Sequence, residues 1–376
     1  MYLQSREGSL VWLTTRAMAF ANFQAGQHRP YTRKKALQYY GSALAKVRTL
    51  TEDAQSLAND SSLAALLLLD SFESMYLGRN EPFGPHSSAM KHILSMRGEE
   101  QLLDQTRFVL WMYALIRLQA RQLLLGEAPD PNQTMMIAKL DTTHPKFHIL
   151  DDIQRMTFLS AAIRRLIMSN MSGTTVIATK IQQAKQLQDT SETLLQELNI
   201  WELTVPKEWQ PTIEDTDKER LSWQVDETTD IRMPQFRCPR MLKYSELCQA
   251  YIWNLHAASQ LVLRESLIEL INYMTILAPQ DDVENQMWHI EIHRQAIENL
   301  SSVLMRSLPQ LLGWSHKEAR GPFFHQQGKM AGRYFALFSL FVVRSSRHAS
   351  AEHKETAMEV LTWMNAKHGL DSRTVL

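Results

Sequence analysis

The sequence predicts an all-α protein, and three observations support this fold class. Apolar residues recur at three- and four-residue steps along most of the chain, which is the spacing of one helix face. Glycine and proline number only 13 each in 376 residues, too few to separate many short strands. Apolar residues make up 44 %, enough for a large core. We therefore expect one helical domain over residues 1–376, with roughly ten or more packed helices.

The helical pattern is interrupted once, by a polar segment. We expect a long loop at 203–239, because this stretch is polar, acidic in its middle and carries four prolines. A subdivision into 1–202 and 240–376 around this loop is the alternative domain organisation. The predicted helices are Leu10–Phe23, Thr32–Leu50, a central helix from Asp60 or Ser61 to Gly78, Gln105–Leu125 before Gly126, and the segments 146–171, 174–200, 240–277, 281–308, 322–346 and 350–368.

Charge and cysteine content exclude several classes of protein. The 40 basic and 40 acidic residues cancel, so no global field attracts nucleic acid or an anionic membrane. Two cysteines, Cys238 and Cys248, cannot build a disulfide framework or a cysteine-rich zinc cluster, and they fit a reducing compartment. Arg6 and Glu7 interrupt any signal peptide, and the longest apolar run, Leu63–Leu69, is too short to span a bilayer. We expect a soluble intracellular protein.

A metal site is suggested by one histidine pair. His289 and His293 are four residues apart and so share a helix face, a spacing that could hold a metal. The zinc-protease pattern requires glutamate directly after the first histidine, where Ile290 stands, and no third ligand is nearby. Two partly buried or surface histidines are the preferred interpretation.

Two acidic pairs are similar to the magnesium-binding motif of terpene cyclases. They are Asp151–Asp152 and Asp281–Asp282. Arg155 and Asn285 occupy the positions where that motif needs a third acid. We interpret both pairs as helix starts, where acidic side chains complement the helix dipole.

Three further patterns are too incomplete to assign chemistry. Gly321–Met330 has a glycine spacing too long for a phosphate loop and lacks its hydroxyl residue. Ser88 and Lys91 match a nucleophile pair without its supporting motifs. The basic cluster Arg29–Lys35 could contact phosphates but is more typical of a solvated face. We therefore assign no catalytic, cofactor-binding, metal or DNA-binding residue, and expect no cofactor.

The stretch Gly84–Leu103, with His86 and His92 near the ends of a short helix, raises the question of a chemical site, a phosphate cradle or a packing helix. Together with the preceding run "ALQYYGSALAKVRTLTEDAQSLANDSSLAALLLLDSFESM", it resembles the fungal-specific transcription factor domain, the regulatory region of fungal zinc-cluster transcription factors. The matching residues are Tyr39, Tyr40, Ala43, Leu44, Leu63 to Phe72, Glu73, His86, Arg97, Gly98, and, near the C-terminus, Ala331, Ala336, Trp363 and Gly369.

The resemblance implies a packing helix for Gly84–Leu103. Gly98 is then expected to stop this helix. Arg97 would lie in the last turn, where a cation is favourable. The six-cysteine zinc module of such factors has no counterpart in this sequence, so DNA binding is not carried over. A lost upstream exon and a co-regulator that keeps only the interaction domain both explain this.

The expected function is a transcription-factor-like regulator, nuclear, controlling a fungal metabolic or secondary-metabolite gene cluster. Its expected partners are proteins, including a DNA-binding transcription factor, with a small-molecule effector in the helical core left open. The alternative is an enzyme on the same scaffold, a cofactor-free cyclase or isomerase with a closed pocket and polar groups such as Trp111, His256 or His293. A non-functional remnant of a regulator is the third interpretation.

Overall fold

The structure, a computed structural model, confirms the all-α class. It describes residues 6–23, 29–50, 58–77, 86–169, 174–215, 240–278, 283–312 and 324–368. Within these residues there are twelve α-helices, two short 3₁₀ turns and one two-stranded sheet. The helices are α1 (Leu10–Asn22), α2 (Arg29–Leu50), α3 (Asp60–Tyr76), α4 (Ser87–Met96), α5 (Gln105–Leu125), α6 (Pro131–Ile137), α7 (Pro145–Met168), α8 (Thr174–Thr204), α9 (Leu247–Leu277), α10 (Val283–Leu311), α11 (Phe324–Ser345) and α12 (Ala351–His368).

The chain divides into two compact units, each with its own buried residues. Unit 1 contains the described residues up to Leu118 and those from Leu361 onward. Unit 2 contains the described residues from Gln119 to Val360. Within the described residues, the boundaries between the units fall inside α5, after Leu118, and inside α12, after Val360. The assignment of 1–376 as one domain stays a prediction.

In unit 1, helix α3 is central and packs against α1 and α4. It begins where Asn59 caps it, with the Asn59 side chain accepting a hydrogen bond from the backbone N–H of Ser62 at 2.8 Å. The predicted caps, Asp60 and Ser61, are therefore one or two residues too late. Leu63, Leu66 and other apolar side chains around the helix are fully buried, as a helix enclosed by its neighbours requires.

In unit 2, the 31-residue helix α9 is central and packs against α7, α8, α10 and α11. Its buried residues occur in every turn and on all sides. This follows from its sequence, because apolar or small residues surround the helix almost completely. The polar residues within it, such as Asn254, His256 and Arg264, are consequently buried as well.

A small sheet replaces part of the predicted 203–239 loop and of the predicted helix 240–277. Strand β1 (Thr212–Asp215) pairs antiparallel with β2 (Arg240–Lys243), in the register Thr212 opposite Lys243. Helix α9 therefore begins at Leu247, not at 240. The strands were missed because each has four residues and its partner is far along the chain. Residues 216–239 of the predicted loop, including Cys238, lie outside the described residues.

Helix α5 ends as the sequence predicts. Gly126 follows its last residue in the left-handed region, with φ of 62°, which glycine adopts without strain. Among the described residues, α5 is the one helix whose length and composition would allow it to cross a bilayer, and 61 % of that window is buried within the protein.

Helices α10 and α11 approach closely at Gly332. A Cβ built on this glycine would overlap the backbone carbonyl of Leu311. Gly41, by contrast, lies in α2 with nothing within 4 Å of an added Cβ. Both glycines are helical, but only Gly41 has room for a side chain.

We expect Gly332→Ala to destabilise the protein by about 1–3 kcal/mol, because the helices must move apart to accommodate the methyl group. The matched control Gly41→Ala should stabilise it by about 0.4–1 kcal/mol, since alanine restricts the unfolded chain and favours the helix. Chemical denaturation of both variants measures the difference. Equal effects would contradict the close approach of α11 to α10.

Candidate functional site

In unit 1, three of the residues that carry the family resemblance, Tyr40, Glu73 and His86, meet at one buried carboxylate. The Tyr40 hydroxyl donates to Oε1 of Glu73 at 2.6 Å, and Nε2 of His86 lies 2.9 Å from the same oxygen. Glu73 is 1 % exposed. Tyr40 also stacks on Phe72, with ring centroids 4.8 Å apart. The motif positions on α2, α3 and the start of α4 thus form one packing contact, consistent with the interpretation of Gly84–Leu103 as a packing helix.

A second buried carboxylate lies one turn earlier on α3. Asp70 is fully buried and pairs with Nε of Arg117, whose guanidinium also donates to the Ser74 hydroxyl at 2.9 Å. Arg117 is itself 5 % exposed. Two opposite charges removed from water in this way hold α3 and α5 in one register, because displacement would leave each charge without its partner.

The predictions for Arg97 and Gly98 were wrong in their geometry. Helix α4 ends at Met96, and Gly98 has φ of −78°, so no left-handed stop is present. Arg97 does not act on its own helix end. Its guanidinium donates to the carbonyl of Ala58 at 2.9 Å and to Oδ1 of Asp60 at 2.6 Å, at the start of α3.

In unit 2, His289 and His293 bind different neighbours rather than a common ligand. Nδ1 of His289 lies 3.1 Å from Oε1 of Glu192 on α8. Nδ1 of His293 lies 3.4 Å from Nη1 of Arg264 on α9. Burial, together with the cation of Arg264 and with His289, lowers the pKa of His293 to about 4. In the part of the chain that the structure describes, no group of three histidine, cysteine or acidic side chains could hold a metal.

The acidic pair Asp151–Asp152 lies in the second turn of α7, which begins at Pro145, so the interpretation as a helix start was wrong. Asp152 is buried and lies 2.7 Å from Nδ1 of His148, which raises the pKa of this histidine. Burial raises the pKa of Asp151. The second pair, Asp281–Asp282, lies outside the described residues.

Aromatic rings cover the imidazoles on this side of unit 2. His148 stacks on Trp201 with ring centroids 5.0 Å apart, and His256 contacts the same indole edge to face at 5.5 Å. Nδ1 of His256 lies 3.4 Å from Oε1 of Glu202. Complete burial lowers the pKa of His256. This cluster is therefore a packed layer between α7, α8 and α9.

The polar groups named for an enzyme pocket lie in separate places. Trp111 is buried in unit 1, whereas His256 and His293 belong to unit 2. Within unit 2, His256 faces α8 through Trp201 and Glu202, while His293 faces Arg264.

The remaining sequence patterns carry no assembled chemistry in the described residues. Ser88 and Lys91 are both exposed on α4, and Cys248 is an exposed free cysteine. The cluster Arg29–Lys35 forms the first turns of α2, and the Arg29 side chain lies outside the described residues. Gly321–Met330 lies outside them as well, apart from the backbone of α11 from Phe324.

A groove of about 280 Å³ lies between α8, α9 and α10 in unit 2. Its apolar part includes Ile271 and Met274, which are almost completely buried. Its polar part includes Gln188 and His289, and both contact Oε1 of Glu192. The complete lining is Ile181, Lys185, Gln188, Ile271, Met274, Ala278, Asn285, Gln286 and His289. Apolar side chains from α9 and polar side chains from α8 and α10 thus line one concave site, a combination found in small-molecule sites.

The same segment of α10 presents apolar side chains to solvent. Met287, Trp288 and Ile292 are 65 %, 60 % and 41 % exposed. Trp288 and Ile292 are four residues apart and so share a helix face. The Trp288 ring contacts the ring of His289 edge to face, with centroids 5.1 Å apart. One residue of the groove lining, His289, is therefore in contact with one of the exposed apolar residues, Trp288.

Comparison with known proteins adds no relative: no family model, curated protein or solved structure matches the chain. The groove and the exposed α10 residues form the candidate functional site. Sequence reasoning missed this site because it joins the consecutive helices α9 and α10 to α8, which lies much earlier in the chain. The one local signal was "MWHIEIH", in which large apolar and polar residues alternate without a helical period.

We expect Asp70→Ala to destabilise the protein by about 3–5 kcal/mol, because Arg117 would be left buried without this carboxylate. The double variant Asp70→Leu, Arg117→Met should lose less, since it removes both charges. Glu197→Gln is the control. It breaks the half-exposed pair with Arg155 and should change the free energy of unfolding by less than about 1 kcal/mol. Urea denaturation measures the free energy of unfolding of all three variants. A double variant that is less stable than Asp70→Ala would contradict the pairing of Asp70 with Arg117.

Because His293 is buried with a lowered pKa, we expect the protein to lose stability in acid. Its pKa in the folded chain, about 4, is below the usual value of 6.5, so the unfolded chain binds the proton more readily. Its contribution is complete above pH 6.5 and is lost as the pH falls toward 4, by up to roughly 3 kcal/mol. His293→Gln should therefore flatten the dependence of the unfolding free energy on pH between 6.5 and 4. A slope that His293→Gln leaves at the wild-type value would contradict this role of His293.

Proposed function

We propose that the chain is a transcription-factor-like regulatory protein that works through protein contacts in the nucleus. It would control the expression of a fungal metabolic or secondary-metabolite gene cluster. The family resemblance supports this proposal, and so does the role of the motif residues Tyr40, Glu73 and His86, which pack helices together instead of forming a reactive site.

One observation carries the mechanism: α10 lines the groove with one face and exposes large apolar side chains on another. Asn285, Gln286 and His289 line the groove. Trp288 and Ile292 are exposed, and tryptophan is among the residues most enriched at protein interfaces. An effector in the groove would contact His289, whose ring touches Trp288. Binding in the groove can thus bias the partner surface through one contact.

The proposed partner is a protein that binds DNA. The formal net charge of the chain is zero, so its contribution to affinity for nucleic acid is small. The apolar surface on α10 suits an apolar anchor site on a protein partner better than it suits phosphate groups.

Disruption of the gene tests the proposal. We expect transcripts of the neighbouring genes on the chromosome to fall together, along with the metabolites that their products make. If transcripts hold while one intermediate accumulates, the chain is an enzyme and the regulator proposal is wrong.

A surface variant tests the mechanism in the same strain. The double substitution Trp288→Ala, Ile292→Ala should reduce these transcripts toward the level of the disruption, at unchanged protein abundance, because the partner surface is lost. Met358→Ala is the control, since it removes an exposed apolar side chain from α12. Wild-type transcripts in the α10 variant would contradict the role assigned to this surface.

A further inference from the structure

A separate pocket lies within unit 1, where the start of α3 meets the chain that follows α4. It has a volume of about 350 Å³. The ionic and amide groups of its lining belong to Asn59, Asp60, Arg97, Glu100, Gln101 and Arg107. The segment that raised the question of a phosphate cradle, around Arg97 and Gly98, therefore forms one wall of a cavity.

Not every N–H group of the arginines in this pocket has a hydrogen-bond acceptor among the described residues. Arg97 uses Nε and Nη2 for Ala58 and Asp60, but Nη1 is buried and has no hydrogen-bond partner among the described residues. The Arg97 side chain is 9 % exposed. Nε of Arg107 lies 3.5 Å from Oδ2 of the same Asp60, and this side chain is half exposed. Both guanidinium groups thus use the Asp60 carboxylate, and the second acid of the lining, Glu100, is exposed. N–H groups of both arginines can serve a further anion.

An acceptor beside these guanidinium groups also lacks a partner. Gln101 is 3 % exposed, and its Nε2 donates to the carbonyl of Arg97 at 3.4 Å. Its Oε1 is buried with no hydrogen-bond partner among the described residues. A buried acceptor without a hydrogen-bond partner is unfavourable, so the position of Oε1 favours a ligand group that donates to it.

We propose that this pocket binds a small carboxylate that carries a hydroxyl or amino group on the neighbouring carbon. The two guanidinium groups would receive the carboxylate, for which their planar array of donors is suited. The hydroxyl or amino group would donate to Oε1 of Gln101. Because Nη1 of Arg97 and Oε1 of Gln101 are covered, the ligand displaces a lining side chain to reach them, and the half-exposed Arg107 has room to move.

This ligand would be an effector of the proposed regulator, and only that biological role rests on the proposed function. Binding to the purified chain is a property of the pocket alone. Failure of the binding experiment therefore leaves the transcript experiment untouched, and the reverse also holds.

Calorimetric titration of the full chain with three acids of matched size tests the proposal. The probes are 2-hydroxybutyrate, 2-aminobutyrate and butyrate, and inorganic phosphate is the fourth. We expect one or both substituted acids to bind at least about tenfold more tightly than butyrate, the effect of about one hydrogen bond to a buried acceptor. Phosphate should bind more weakly than the preferred acid.

Two variants assign the contacts. Arg107→Gln should weaken binding of the preferred acid by about tenfold or more, because it removes one guanidinium. Gln101→Met should abolish the difference between the substituted acid and butyrate while leaving butyrate affinity unchanged, and it should not lower the melting temperature. Arg121→Gln, which removes an arginine on the same helix outside the pocket, should bind as the wild type does.

Absence of binding by all three acids overturns the proposal. Equal binding of butyrate or phosphate and the substituted acids overturns the ligand class and reduces the site to a nonspecific anion contact. Binding that both Arg107→Gln and Gln101→Met leave unchanged places the ligand elsewhere and overturns the site.

Discussion

A helix that is enclosed on all sides must find partners for its polar side chains on neighbouring helices. Helices α3 and α9 are in this position, and each carries charged or amide groups in its buried turns. On α3 the partners are Arg117 for Asp70, and Tyr40 and His86 for Glu73. A buried charge that loses its partner is costly. Each pair therefore favours one register between the two helices that it joins, because a shifted register would separate the paired groups. The arrangement of unit 1 depends on these two carboxylates.

Unit 2 meets the same constraint with weaker pairs. Glu202 accepts from Gln260 at 2.8 Å and lies 3.4 Å from His256, while Arg264 has a neutral imidazole, His293, as its neighbour. A cation beside a neutral histidine in a buried position is stable only while that histidine stays unprotonated. The polar interior of α9 therefore makes unit 2 sensitive to acid.

The two proposed sites use different chemistry for different tasks. The groove in unit 2 combines apolar and uncharged polar groups with one lysine, and α10 contributes both to it and to the exposed apolar surface. An occupant there can influence a partner through the contact between His289 and Trp288. The pocket in unit 1 is ionic, and its donors and acceptors belong to side chains that already hold α3 against the chain after α4. A regulator that combines them would bind its partner with one unit and a small acid with the other.

The sequence by itself determined the elements that depend on local spacing. Periodicity placed α1 and α5 almost to the residue, and Gly126 ended α5 as its backbone freedom requires. Only the tertiary structure decided features that depend on distant neighbours. It showed that Asp70 pairs with Arg117 on another helix, that β1 pairs with β2 across 24 intervening residues, and that Arg97 binds the start of α3. Side-chain partners, cavities and strand pairing arise from contacts between segments far apart in the chain, and no local pattern records them.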